Sequence, residues 1–177
     1  MSQNPIPALA YGTSPTKAAV LIQTDANGDV IGSGGDALVV TGAAVMSNAL
    51  HVFSVIGGPI QILSLVSICQ TANDSTASTA QWATLSTLGA LAGTISAASA
   101  SLASAAIGEM LVLQGTALNT ALLLEATGVG ITAVPGSIVV QAGAINLTIA
   151  VGSTTGTWKH YMRYRPIAAG ATVTNAF

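Results

Sequence analysis

The side chains of this chain that could do chemistry are few and scattered. Its 177 residues include one cysteine, two histidines and six carboxylates. A thiol nucleophile would be Cys69, with His51 or His160 as its base. Cys69 lies within the apolar run from Ile60 to Gln70, where burial raises a thiol's pKa and keeps it inert, so a structural cysteine is expected. Metal sites draw several His, Cys, Asp or Glu at ligand spacing. No such cluster is present in the sequence, and neither a metal nor a cofactor is expected. Asp25-Ala26-Asn27-Gly28-Asp29 has the look of a calcium loop, but its glycine comes too early and no glutamate follows at the twelfth position. It reads as a hairpin turn. Gly32-Ser33-Gly34-Gly35-Asp36 is glycine-rich yet lacks the Lys-Ser or Lys-Thr pair that holds nucleotide phosphates, and reads as a loop. Glu109 and Glu125 are the pair that acid–base chemistry would require, but both flank apolar strands and nothing in the sequence brings them together. No enzyme is expected.

Composition narrows the classes further. The chain is 51% hydrophobic and only 6% charged, against about 25% charged in an ordinary soluble domain. Four basic and six acidic residues give a net charge of -2, which excludes a surface built to neutralise phosphates; no nucleic acid is expected as a partner. Disorder is excluded as well, because disordered chains combine low hydrophobicity with high charge and mean hydropathy here is +0.68. A membrane span needs about 20 consecutive apolar residues. The nearest stretch, 85–108, is interrupted by Ser86, Thr87, Thr94, Ser96, Ser99, Ser101 and Ser104, so no membrane association is expected. No basic region followed by an apolar block opens the sequence, so no secretory signal is expected. The length suits one domain, expected over 17–177. Pro5, Pro7, Gly12 and Pro15 make residues 1–16 read as an extended N-terminal arm.

The elements that would position these groups are strands. Runs rich in β-branched residues, bounded by Gly, Pro, Asn or Asp, fall at 18–24, 30–31, 37–41, 51–56, 60–70, 81–85, 110–114, 121–125 and 137–141. Ile145, Leu147, Ile149 and Val151 alternate with milder residues, the period-two signature of a half-buried strand. After the loop 152–156, Thr157 to Arg165 returns as what reads as the second arm of a final hairpin, and 171–173 adds an edge segment. Residues 92–107 are mostly Ala and Ser, with only Ile95, Leu102 and Ile107 as large side chains. Propensity permits a helix there, but the apolar stripe is too thin to hold one to a core, and irregular or β structure is favoured. Many short strands at even spacing imply an all-β domain, an antiparallel jelly roll or β-sandwich.

In the 157–165 strand, Trp158, His160, Met162 and Tyr164 share one face and Lys159, Tyr161, Arg163 and Arg165 the other. Three of the four cations of the chain lie there. This is the candidate protein-interaction surface, suited to an acidic partner, because Arg and Tyr dominate interface energetics. The plain alternative is a solvated outer face, with the long stems of Lys and Arg covering the sheet.

The segments 135–145, Ser153-Thr154-Thr155-Gly156-Thr157-Trp158 and Tyr161-Met162-Arg163-Tyr164-Arg165-Pro166-Ile167, with the earlier Gly34-Gly35-Asp36-Ala37-Leu38, resemble small structural proteins encoded in tailed-bacteriophage head gene clusters. The resemblance covers about 60 residues in sequence character. It implies a capsid decoration or cement protein, with a jelly-roll or tulip-like fold, made in the bacterial host cytoplasm and bound to the capsid exterior of the virion. Its implied partners are the major capsid protein and itself, as a homo-oligomer, with a homotrimer favoured over a dimer. The alternative from another class is a tail or fibre-tip module that recognises a host glycan or protein.

Overall fold

A computed structural model of the chain describes residues 36–46, 49–114, 118–125, 138–153 and 155–177, and the backbone of 23–24 and 30–31. All regular structure among the described residues is β. In chain order the strands are β1 (Gln23–Thr24), β2 (Val30–Ile31), β3 (Ala37–Val45), β4 (Ala49–Ile56), β5 (Ile60–Thr71), β6 (Ala80–Ser86), β7 (Ala92–Thr94), β8 (Ser96–Ala97), β9 (Met110–Val112), β10 (Thr120–Ala121), β11 (Leu123–Glu125), β12 (Ile138–Val140), β13 (Gly143–Ile149), β14 (Thr157–Pro166) and β15 (Thr172–Asn175). The first sheet runs β11-β9-β5-β14-β3, with β12 also paired to β5. The second runs β15-β4-β13-β6-β7. Every pairing within these two sheets is antiparallel. Two short ladders stand apart, β1 with β2 and the parallel pair β8 with β10.

The inner faces of both sheets feed one core. Ile62 and Leu65 of β5, Trp158 and Met162 of β14, Phe53 of β4, Trp82 of β6 and Leu147 of β13 are all buried in it. Rings bridge the layers: Trp82 of the second sheet stands edge to face on His160 of the first, 5.5 Å between centroids. Burial of side chains this large is the dominant favourable term, roughly 1.5–3 kcal/mol apiece.

Alternation is kept in the two strands where the sequence displays it most clearly. In β13, Ile145, Leu147 and Ile149 are buried, and in β14, Trp158, His160, Met162 and Tyr164. Elsewhere bulges reset the phase. Arg163 of β14 faces Ser64 while Tyr164 faces Ile62, which leaves Leu63 as the extra residue. Ile60 and Ile62 therefore point inward on one side of the break, and Leu65, Ser67 and Cys69 on the other. A second bulge, opposite Ile145 and Asn146, lets the consecutive residues Val52 and Phe53 of β4 both be buried.

The expected final hairpin is not one. β13 pairs with β4 and β6, while β14 pairs with β3 and β5, so the connection between them crosses from one sheet to the other. Both strands already have two neighbours, and each buries its apolar face against the opposite layer. Val151, expected to extend the alternation, lies beyond β13 and is 51% exposed. The Ala- and Ser-rich stretch forms no helix; it holds β7 and β8 and otherwise irregular chain. The expected strand at 121–125 is split into β10 and β11, with buried Leu122 between them. The arm at 1–16, the turn at 25–29 and the glycine-rich positions 32–35 lie outside the described residues.

Candidate functional site

β14 is held on both sides, by β3 and β5, and its alternation therefore fixes which side chains leave the first sheet. Lys159, Tyr161, Arg163 and Arg165 all emerge on the outer face, as the period-two reading predicts. Tyr161 lies between Val40 of β3 and Val66 of β5, and Lys159 between Ala43 and Ile68. These flanking aliphatic side chains half-bury both residues.

The face is less open electrostatically than the sequence implies. Asp36, immediately before β3, takes both arginines: its Oδ1 accepts from Arg165 Nε at 2.8 Å, and its Oδ2 lies 3.6 Å from Arg163 Nη2. Lys159 Nζ sits 5.9 Å from the centroid of the Tyr161 ring, a cation–π geometry. Around β14 three cations stand against the Asp36 carboxylate, a local excess of about +2, with Glu125 farther across the same sheet on β11. Sequence reasoning missed Asp36, because only the β3–β14 pairing brings it to the arginines from about 130 residues away.

The charges are segregated by sheet. The second sheet's strands, β4, β6, β7, β13 and β15, contain no Asp, Glu, Lys or Arg. Its outer face carries His51, Ser54, Ala83, Leu85, Ala144 and Asn146. At the β7 rim, Leu85, Leu88 and Leu91 are exposed, the last to 71%, and so is Val139 of β12. Leu91 and Val139 help line a shallow groove of about 180 Å³ between β7 and β12. Leu88 and Leu91 on either side of Gly89-Ala90 were the available sequence signal for this rim.

The thiol and the two imidazoles considered for catalysis are dispersed. The Cys69 thiol is buried and donates to Thr71 O at 3.1 Å. Burial, helped by the Glu109 charge, pushes it above its usual range. His51 lies on the outside of the second sheet, its Nε2 3.0 Å from Ser54 Oγ. His160 is inside, its Nδ1 2.8 Å from Ser67 Oγ and its Nε2 without a partner. Burial drives its pKa down to about 3, so it is neutral at neutral pH. Glu125 pairs with Met110, which places it on the strand next to Glu109, a proximity that sequence spacing does not reveal. Among the described residues no three His, Cys, Asp or Glu come together as a metal set.

No protein-family model, curated protein or solved structure matches this chain.

Proposed function

We propose that the protein is a capsid decoration or cement protein: a jelly roll that binds the exterior of an assembled bacteriophage capsid as a homo-oligomer and stabilises the shell. The observation that carries this reading is the strand order. Taking β3, β4, β5, β6, β7, β12, β13 and β14 as successive strands, one sheet contains the first, eighth, third and sixth and the other the second, seventh, fourth and fifth. That interleaving is what folding a long double-stranded ribbon over itself produces, and two-sheet jelly rolls recur in viral shells and lectins. β9 beside β5 with β11 beyond it, β15 beside β4, and the short β8–β10 pair are additions to that plan.

The distribution of side chains supports a docking role. An uncharged sheet face and the exposed rim at Leu85, Leu88, Leu91 and Val139 suit contacts that rest on apolar burial, worth about 25 cal/mol per Å². Such contacts survive salt that screens ion pairs. The rim is suited to contacts between copies, with a trimer favoured, and the basic face of β14 to acidic groups of the major capsid protein. Binding the assembled shell better than its separate subunits stabilises the shell by mass action. Cys69 and His160 are buried and His51 lies on the outside of the second sheet, so thiol and imidazole are not disposed for nucleophilic chemistry, which supports a non-catalytic role. The tail-module alternative is served less well: both tryptophans, the best stacking platforms for a sugar, are fully buried.

The test is to add purified protein to capsids that lack it. Saturable binding with a higher disruption temperature is expected; absence of binding, or binding to host cells instead, overturns the reading.

A further inference from the structure

Residues 172–177 cross from one sheet to the other. β15 pairs with β4 from Thr172 opposite Ile56 to Asn175 opposite Phe53, and the Ala176 N–H extends the ladder by donating to Val52 O at 3.0 Å. The next residue has reached the opposite sheet, where Gly42 N–H of edge strand β3 donates to Phe177 O at 3.3 Å. Asn175 Nδ2 donates to Val40 O of the same strand at 3.4 Å. The Phe177 ring stands edge to face on the His160 imidazole, 6.3 Å between centroids, and is itself 39% exposed. It is a thin wall between that imidazole and water.

We propose that the 172–177 segment is a clasp that acid opens: uptake of a proton by His160 lifts Phe177 and frees the edge of β3 while the β6–β13 ladder stays folded. The side chains that face His160 offer a cation nothing. They are Ser67 on β5, Thr41 on β3, Trp82 on β6 and Phe177 of the clasp, all neutral. The inner face of this sheet also carries the Cys69 thiol on β5 and the Tyr164 phenol on β14, whose oxygen accepts from Val173 N–H at 3.1 Å. Glu109, just before β9, is the nearer carboxylate by register; it stands opposite Cys69, with β5 between it and β14, while Asp36 is engaged with the arginines of the outer face. An imidazolium would carry a second donor at Nε2, which has no acceptor, and a buried charge without partners must find water. Reaching water through β14 would break ladders with both β3 and β5. Reaching it past Phe177 breaks only the few bonds of the clasp.

Hydrogen exchange of the Gly42 and Ala176 amides at pH 7.5 and 4.5, corrected for intrinsic rates and repeated in low urea, tests the proposal. An imidazole at its ordinary value of 6.5 when open and at about 3 when enclosed favours the open form about 100-fold more at pH 4.5. The two amides should accelerate by about that factor with little urea dependence, while Ile145 and Leu147 amides show the steep dependence of global unfolding. His160→Gln, neutral at both pH values, should abolish the acceleration. Phe177→Ala should speed Gly42 exchange about tenfold or more already at pH 7.5. The proposal is overturned if Gly42 and Ala176 follow the urea dependence of Leu147, or if acid acceleration persists in His160→Gln. Should that variant not fold, an unchanged Gly42 rate in Phe177→Ala overturns it equally.

Discussion

Trp158 Nε1 donates a 2.9 Å hydrogen bond to Oδ1 of Asn73, and this buried pair ties the Ala- and Ser-rich stretch to the core. The same asparagine donates from Nδ2 to Leu102 O and from its backbone N–H to Ala105 O, each at 3.0 Å. A segment with too few large side chains to pack as a helix is thus held by hydrogen bonds, to Asn73 and to the chain at Ser78, Ala80 and Trp82, with Leu102 driven into the core as the anchor.

Asn73→Ala leaves the Trp158 N–H buried without a partner and the Leu102 carbonyl with only the Ala105 N–H. It should cost about 2–3 kcal/mol in urea unfolding. Gly156→Ala should cost a similar amount, roughly 1–3 kcal/mol, because a Cβ there collides with Oδ1 and the backbone of Asn73. Wild-type stability in either variant would show that the segment is held by other means.

Acid should weaken the fold through His160. Its pKa is about 3 when folded and 6.5 when exposed, so between those values the unfolded chain binds the extra proton. The stabilisation is complete above about pH 6.5 and is lost as pH falls toward 3, at about 1.4 kcal/mol per pH unit. Urea midpoints should therefore drop from pH 7.5 to 4.5 by about 3 kcal/mol in free energy. His160→Gln should remove most of that slope; an unchanged slope would place the acid sensitivity elsewhere.

Asp36→Asn should alter stability by less than about 1 kcal/mol, because the arginine side chains are more than half exposed. Its effect on binding should be larger. Removing the internal carboxylate releases Arg163 and Arg165, so affinity for an acidic shell surface should rise, while Arg163→Ala or Arg165→Ala should lower it. Measured by titration of capsids at two salt concentrations, the reverse order would exclude this face as the contact.

Leu88→Ser combined with Leu91→Ser should leave the unfolding free energy within about 0.5 kcal/mol per site, since both side chains are largely exposed. Light scattering should show a loss of self-association in the variant. An oligomer that survives the double substitution would remove the β7 rim from the interface.

Much of β14 was legible in the sequence, because a strand buried on one face must alternate. The inward set of Trp158, His160, Met162 and Tyr164, and the outward set of Lys159, Tyr161, Arg163 and Arg165, follow from that period alone. β5 was legible as a strand but not in its phase: its bulge at Leu63 answers the register of β14, a non-local partner. The candidate face was legible in its members and not in its charge, because Asp36 reaches the arginines only through strand pairing.

By itself the sequence determined an all-β, sparsely charged chain, since residue type and period act over a few neighbours. The tertiary structure alone decided that β13 and β14 belong to different sheets, that Asp36 tempers the basic face, and that Phe177 covers His160. Local pattern states that a strand has a buried face; which distant strand covers that face depends on how the whole set of apolar surfaces packs into one core.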